Sequence, residues 1–399
     1  MVFSFLKKTP LPEASPDKTV VVIGGGIAGL CAIYGLRQLD PAVKIILVEP
    51  KEYCEIFWAS YRSPFEEWVA KGSLVRLTPY CDEYNVEIVQ GTVTQVSKTN
   101  VTCTLLNGQN TQKTIAFDVC VVATGAGCHW KGMGRSLPDK PEDATAEQRL
   151  EAMSAEGKRL LDAKSVVIVG GGLIGTELAG DLAAYAKKKT TKGQTTTPAV
   201  TLIHSGPQLC PVMSPPAAAK MQQLLENLGV TIILNEKGTE ENGKVVLENS
   251  KKEIEAEIVI KTIGFQAMND FMKKNFADAL DEKGWIKTDE YMAVPGSDNK
   301  LFAYGDCSPS LPNAGNVYMN MASTLGNNVK AALLEKTDGM KKFELPPAGL
   351  INTAGPDHGV FYSSFFWTQR LLPWLKNKTM FFFSARDTIG VKKEYTMAV

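Results

Sequence analysis

Two glycine turns, each closing a short run of β-branched residues, carry the residue types and spacing in this chain that point most directly to chemistry. The first is Val20-Val-Val-Ile23 followed by Gly24-Gly25-Gly26-Ile27-Ala28-Gly29. The second, 146 positions on, is Val166-Val-Ile-Val169 followed by Gly170-Gly171-Gly172-Leu173-Ile174-Gly175. In a G-x-G-x-x-G turn the first glycine permits a tight bend, the second lets backbone N–H groups approach a pyrophosphate, and the third lets the next helix pack closely. The helix then presents the positive end of its dipole to the phosphates. Such a turn serves dinucleotide binding. One turn alone is weak evidence, but residues 44–48 form a second apolar strand ending in Glu49, about 20 residues past the glycines, where a carboxylate accepts hydrogen bonds from a ribose.

After the second turn, residues 199–203 read as a strand followed by His204-Ser205-Gly206, where an acid is expected for NAD. His204 is either a solvated strand-end residue or a neighbour of the adenosine ribose. With no acid there a 2′-phosphate is not repelled, and with no arginine it is not strongly bound, so NADH and NADPH both stay open.

The elements that must position these turns follow from the apolar pattern. Residues 86–93 and 101–108 have strand composition and form a hairpin or small meander, and 117–122 is a buried strand ending at Thr124-Gly125. Polar residues from 131 to 147, with two prolines, mark a linker or surface excursion. In the second half, 220–228 reads as a helix stopped by Gly229, and 230–234 as a strand. Residues 245–248 and 254–260 complete the sheet edge, and Thr262-Ile-Gly264 mirrors Ala123-Thr-Gly125. Residues 301–307 are a short apolar strand ending in Gly305-Asp306, and 319–334 have helical spacing. The two similar turns imply duplicated domains, since the period is too long for a solenoid.

The 399 residues exceed one ordinary core and suggest two to three domains. Basic and acidic residues balance at 43 each, so no global field favours nucleic acid. The eight cysteines include no C-x-x-C, which argues against a disulfide framework, a redox dithiol or a zinc site and for reduced intracellular thiols. No metal ligand set is read. The apolar start of the chain is too short for a signal-peptide core, residue 2 is Val and so outside the myristoylation pattern, and no apolar run reaches the 18 or so residues that span a membrane. Residues 1–17 are expected to be a loose leader.

The double fingerprint, Ala123-Thr-Gly125 and the late Gly305-Asp306 resemble the two-dinucleotide-binding-domain flavoproteins. Within them, Ala59-x-x-Arg62, Val200-Thr-Leu-Ile-His204-Ser205 and Asp357-x-Gly359-Val360 are similar to the ferroptosis suppressors and apoptosis-inducing-factor homologues, and to type II NADH dehydrogenases. The similarity runs from about residue 18 to about 390. It implies an α/β fold with two Rossmann-like dinucleotide-binding domains in a glutathione-reductase-like arrangement, plus a small C-terminal α+β region. The implied boundaries are 18–130 and 291–340 for the FAD domain, 131–290 for the NAD(P)H domain and 341–399 for an acceptor-side region.

By that resemblance the first site comprises Gly24, Gly25, Gly26, Ile27, Ala28, Gly29, Glu49, Arg62, Val93, Thr124, Gly125 and Asp306. Arg62 would offer its fork of donors to phosphate or isoalloxazine oxygen, against the alternative of a surface ion pair. Val93 would pair with adenine through its backbone, and Asp306 would accept from the ribitol unless it is only a turn residue. The second site comprises Gly170, Gly172, Gly175, His204 and Gly264. Glu177, two residues past the last glycine, would orient the nicotinamide amide, or else is a first-turn glutamate favoured by the helix dipole.

The activity implied is transfer of electrons from NAD(P)H through FAD to an acceptor, a quinone foremost. The alternatives are a soluble electron-transfer protein as acceptor, or a redox-sensing interaction protein. The chain departs from the ferroptosis suppressors in lacking the myristoylation signal and in a more aromatic, less histidine-rich loop after Glu49. Beyond residue 346, aromatics from Phe361 to Phe383 interleaved with Arg370, Lys376 and Lys378 suggest a peripheral membrane contact, a capping hairpin packed over the flavin domain, or both on different faces. The expected location is cytoplasmic with peripheral association to a membrane or lipid droplet, as a monomer or homodimer.

Overall fold

The computed structural model describes residues 17–106, 109, 111–130, 132, 144–190, 197–308, 315–344 and 349–397. The expected leader up to residue 16, the polar stretch at 131 and 133–143, and residues 191–196, which read from their Lys and Thr runs with 187–198 as an exposed excursion after the second glycine helix, lie outside the described residues.

The opening βαβ unit is β1 (Thr19–Ile23), α1 (Ile27–Leu39) and β2 (Lys44–Glu49). An excursion follows through β3 (Tyr53–Glu55), α2 (Glu67–Ser73), β4 (Leu74–Arg76) and α3 (Leu77–Glu83), with β3 and β4 paired antiparallel. The chain then rejoins the sheet at β5 (Val86–Val96), parallel to β2, and runs on antiparallel through β6 (Asn100–Leu105) and β7 (Gln112–Ala116). The expected meander is therefore present, with one strand more than the apolar pattern marked. β8 (Val119–Val122) lies parallel to β1 on its other side. Residues 20–23 and 119–122 are buried throughout, as suits central parallel strands covered on both faces. The antiparallel strand β9 (Ala126–Cys128) then leads out of this unit.

The second unit starts with α4 (Ala146–Asp162), of which only the first two residues fall in the expected linker and the rest has no counterpart in the sequence reading. Its start is a capping box in which Gln148 N donates to Thr145 Oγ1 and Thr145 N donates to Gln148 Oε1. β10 (Ser165–Val169), α5 (Leu173–Thr190), β11 (Ala199–Ile203), α6 (Pro215–Leu228) and β12 (Thr231–Ile233) repeat the Rossmann pattern. Gly229, at φ 92°, ends α6 in the left-handed region, as expected.

The expected sheet edge needs correction. β13 (Gly238–Glu241), β14 (Lys244–Leu247) and β15 (Glu253–Glu255) form a separate antiparallel sheet, and only β16 (Ile258–Lys261) joins β10. In β14 only Val245 and Leu247 are buried and β15 buries no residue, which fits a small one-sided sheet better than a covered parallel strand. The parallel order is β12-β11-β10-β16.

β17 (Phe265–Ala267) pairs antiparallel with β9, so a two-stranded ribbon joins the units. Phe271, Met272 and Phe276, around α7 (Lys273–Phe276), pack with Val21, Ile23 and Val122 of the first sheet. The chain is thus back in the first unit before the expected boundary at 290. β18 (Leu301–Ala303) completes the order β18-β8-β1-β2-β5-β6-β7, and α8 (Gly315–Leu333) crosses α1. That crossing is close, because a methyl group at Gly35 would sit 2.3 Å from the Ala322 carbonyl oxygen. The C-terminal region is a small α+β unit of β19 (Gly349–Ala354), β20 (His358–Ser363), β21 (Trp367–Thr368), α9 (Leu371–Thr379) and α10 (Phe382–Ile389). Among the described residues no helix is long and apolar enough to cross a membrane.

Candidate functional site

The two glycine turns have the same geometry. Gly24 is at φ 103° and Gly170 at φ 120°, and a methyl group on either would lie within 2.5 Å of a carbonyl oxygen, Ala123 for the first and Thr262 for the second. Gly29 and Gly175 would each bring a methyl group to 1.9 Å from the carbonyl oxygen of the turn's first glycine. These four glycines are required by the protein's own packing. Gly26 and Gly172 are different, since a methyl group there meets nothing within 4 Å. Each turn thus has one glycine that faces open space, at the mouth of a helix N-terminus and at the carboxyl end of a parallel strand.

In the first unit, Glu49 at the end of β2 closes the turn: its Oε2 accepts from Gly25 N at 2.6 Å and its Oε1 from Lys51 N at 3.0 Å. Burial raises its pKa against the lowering by these two bonds. Each oxygen keeps a lone pair for a ribose hydroxyl. Gly125, at φ 70°, also faces open space, and Thr124 Oγ1 donates to Asn269 Oδ1 at 3.2 Å. Asn269 Nδ2 in turn donates to the carbonyls of Gly284 and Cys307, which ties the end of β8 to the loop after β18. On that loop Asp306 is buried, and its neighbour Gly305 lies against Ala28 of α1. Gly24, Glu49, Thr124, Gly125 and Asp306 therefore converge at the carboxyl edge of one sheet. Val93 lies further along β5, at the register shift between Val93 and Gln95.

Arg62 does not stand where the sequence reading puts it. It is fully buried, and its Nε and Nη2 donate to the two oxygens of Asp181 on α5, at 2.8 and 3.0 Å. Nη2 also donates to Gly355 O at 3.0 Å, and Nη1 lies 3.4 Å from Asn377 O. The fork is spent on a carboxylate of the second unit and on carbonyls of the C-terminal region, so it is neither a phosphate clamp nor a surface ion pair. Burial pushes the Asp181 carboxyl up to about 6 although Arg62 pulls it down. At Arg62 desolvation is the largest single effect, but the charge of Asp181, its hydrogen bond and the nearby Tyr61 and Tyr185 together outweigh it and hold that guanidinium protonated.

In the second unit the structure places His204 where Glu49 stands in the first. Its Nδ1 accepts from Gly171 N at 3.3 Å, the counterpart of the Gly25 to Glu49 bond. A ring accepting at Nδ1 carries its proton on Nε2, and that buried donor has no partner among the described residues. Burial lowers the His204 pKa and favours this neutral form. Gly264, at φ 109°, faces open space beside Thr262, whose Oγ1 donates to Gly170 O at 2.8 Å.

Glu177 is buried on α5, one turn before Asp181. Its Oε1 accepts from Lys376 Nζ at 2.7 Å and Thr353 N at 3.0 Å, with Thr353 Oγ1 at 3.2 Å. Thr353 Oγ1 also lies 2.9 Å from the Tyr61 hydroxyl, and the Lys376 ammonium sits over the Tyr61 ring at 5.4 Å. Lys376 was expected at the surface; it is buried instead, because α9 turns that side inward. Tyr61, Asp181, Thr353 and Lys376 are site residues that sequence reasoning missed. The only local signal was Asp181, which at i+4 from Glu177 must share its helix face.

The comparisons with known proteins agree with this geometry. Residues 18–325 match the family model described as pyridine nucleotide-disulphide oxidoreductase. Ferroptosis suppressor protein 1 of Xenopus tropicalis is 25% identical over 357 residues, covering 86% of this chain and 87% of that protein. Among solved structures, the sulfide:quinone oxidoreductase of Aquifex aeolicus superposes with a TM-score of 0.73 at 19% identity, covering 94% of each chain. NDH2 from Plasmodium falciparum in complex with NADH does so with 0.69 at 14% identity, covering 94% of this chain and 97% of that one.

Proposed function

Because this chain belongs to the pyridine nucleotide-disulphide oxidoreductase family, we propose that it is an FAD-dependent NAD(P)H:quinone oxidoreductase, with its electron acceptor met at a membrane surface by the region beyond residue 346. Its cofactors are FAD and NAD(P)H. The residues fit both groups: the open faces at Gly26 and Gly172 leave room for a pyrophosphate at each helix mouth, and Glu49 and the orphan Nε2–H of His204 stand at the two ribose positions. FAD, when bound, takes hydride from the nicotinamide and passes the electrons on as one- or two-electron steps.

The observation that carries this reading is the pairing of two such cradles with an absence of exposed thiols. All eight cysteines are free and buried, and burial raises Cys210, the one nearest the second turn, to about 12. A thiol kept protonated and out of solvent does not relay electrons by disulfide exchange. Electrons must then leave to an external acceptor, and the likeness to the sulfide:quinone oxidoreductase favours a quinone.

The chain's own residues bind, align and shield. The first turn, Glu49 and Asp306 hold one nucleotide; the second turn and His204 hold the other. Glu177 sits between α5 and β19 with Oε1 fixed by Lys376 and Thr353, a placement suited to receiving the nicotinamide amide. Tyr61, Arg62 and Asp181 close the inner side of this region and keep water from it.

The test is an anaerobic reduction of the purified protein by NADH and NADPH, followed by reoxidation with a short-chain quinone or with a soluble ferredoxin. The wild type is expected to bleach its flavin absorbance and to recover it with quinone, and Glu177→Gln to bleach at least about tenfold more slowly with flavin content unchanged. Recovery with ferredoxin alone sinks the quinone assignment, and an unaltered bleaching rate makes Glu177 structural.

His204 sets a second expectation. Changing it to Glu restores at the second turn the carboxylate that the first turn has, which accepts from a 2′-hydroxyl and repels a 2′-phosphate. The ratio of Kd for NADPH to that for NADH should rise about tenfold, equal to 1.4 kcal/mol. Titrations giving the same ratio for both proteins place the adenosine elsewhere.

A further inference from the structure

Among the described residues, four buried side-chain polar atoms have no hydrogen-bond partner: His204 Nε2, Ser308 Oγ, Asn377 Oδ1 and Arg386 Nε. A buried polar group left without a partner costs free energy, so each such atom points to a partner from outside the chain. Asn377 and Arg386 belong to the C-terminal region, whereas His204 and Ser308 stand at the two cradles. His204 already has a use at the second turn. Ser308 has none so far, although it is 1% exposed and lies two residues beyond Asp306.

The loop that carries Ser308 is pinned from three sides. Gly305, at φ 90°, lies so close to α1 that a methyl group there would stand 2.7 Å from the Ala28 Cβ. Cys307 O accepts from Asn269 Nδ2 at 3.1 Å, and the Cys307 thiol lies 3.4 Å from both Val122 O and Tyr304 O. Ser308 N donates to Gly305 O at 3.1 Å, which closes the turn. These groups are spent on the protein. The Ser308 hydroxyl, able to donate one hydrogen bond and accept two, is not, and the loop holds it ready without further ordering.

Strand order tells which half of a dinucleotide this loop serves. In the first sheet β2 lies on one side of β1, with Glu49 at its end. On the other side come β8 and then β18, followed by Thr124-Gly125 and by Asp306-Cys307-Ser308. With a pyrophosphate over Gly26 and the adenosine towards Glu49, the flavin half runs across the end of β8 to that of β18, two strand spacings or about 10 Å from β1. The parallel sheet of the second unit stops one strand earlier, because β16 is its edge. The first cradle is thus one strand wider on the side that takes the larger ring system, and Ser308 stands on the added width.

We propose that Ser308 is a flavin-binding residue whose hydroxyl, orphaned in the protein, hydrogen-bonds the flavin half of FAD and not the adenosine half. This inference rests on the assignment of FAD to the first cradle. Its consequence is that removing the hydroxyl acts oppositely on two states of the protein. Ser308→Ala relieves the empty cradle of an unsatisfied buried group and takes a bond from the loaded one. A serine kept for the protein's own packing behaves otherwise, since its loss weakens the empty protein as well.

The test compares full-length wild type and Ser308→Ala, each loaded with FAD and stripped of it. Flavin fluorescence on titration gives the Kd for FAD. ADP, which carries the adenosine and pyrophosphate without the flavin, is read by its competition with FAD, and thermal unfolding of the stripped proteins reads the empty state. Ser308→Ala is expected to bind FAD about fivefold more weakly and ADP as tightly as wild type does, and its stripped form to unfold about 2–4 °C higher. An unchanged Kd for FAD overturns the proposal, because the hydroxyl then bonds solvent and not the cofactor. Equal weakening of FAD and ADP overturns the assignment to the flavin half. A stripped Ser308→Ala that unfolds below stripped wild type makes Ser308 a structural residue and overturns the proposal too. Wild type that takes up no FAD overturns the function proposed above together with this inference, whereas wild type that binds FAD no better than Ser308→Ala overturns this inference alone.

Discussion

Gly26→Val is expected to leave the protein folded and to empty it of flavin. Gly26 sits at φ −74° and ψ −176°, extended backbone that valine adopts readily, and its added methyl groups enter open space in the protein itself. Among the described residues a Cβ at this position meets nothing within 4 Å. The space they enter is where the helix mouth of α1 would meet the pyrophosphate, and a pyrophosphate cannot share it. Flavin occupancy after purification should fall at least about tenfold, with the circular dichroism spectrum and unfolding midpoint near those of wild-type apoprotein. Gly24→Ala is the contrasting variant: at φ 103° and 2.4 Å from the Ala123 carbonyl it should fail to fold at all. Full flavin absorbance in a folded Gly26→Val protein would falsify the assignment of the first cradle.

Asp181→Leu is expected to be among the most destabilising single changes in the chain. It leaves Arg62, 0% exposed like its partner, as a buried cation with carbonyl oxygens, the Met380 sulfur and the Tyr61 ring but no carboxylate to pair with. Removing one member of a buried ion pair costs about 3–5 kcal/mol, a large part of the 5–15 kcal/mol that holds a typical domain together. Thermal unfolding should shift down by roughly 10 °C. The double variant Arg62→Met with Asp181→Leu removes both charges and should recover most of the loss, because an apolar pair of similar volume avoids the desolvation of two ions. If the double variant is no more stable than Asp181→Leu, the pair is not what links these segments.

What the sequence reading captured and what it missed divide by distance along the chain. The two turns were readable because each is one strand, six residues and a helix, and their glycines answer to neighbours in the same motif. Glu49 and His204 were readable because a strand of known length delivers them to the turn. The destination of Arg62 was not, because Asp181 lies 119 residues away and nothing near either residue reports the other. Lys376 was misplaced for a related reason. Residues 371–378 of α9 mix apolar and basic side chains all round, and which side faces inward is decided by β19 and α5. The strands at 245–255 were assigned to the wrong sheet because a run of three or four residues does not distinguish a parallel edge from a small antiparallel sheet. The helix α4 was signalled by Thr145-x-x-Gln148 and passed over among polar residues.

The ribbon of β9 and β17 means that one unit is nested inside the other, and that nesting imposes an order on synthesis. When Lys261 has been made, every strand of the inner parallel sheet exists, while the outer sheet still lacks β18. The outer sheet gains that strand only at Ala303, and Arg62, made before any strand of the inner sheet, meets the last of its carbonyl partners only when Asn377 has been added. A chain stopped between Asp306 and Ala354 owns both nucleotide cradles but has Glu177 without its lysine and Arg62 without the carbonyls of Gly355 and Asn377. The last tenth of the polypeptide is thus the closing piece of a core begun by the first.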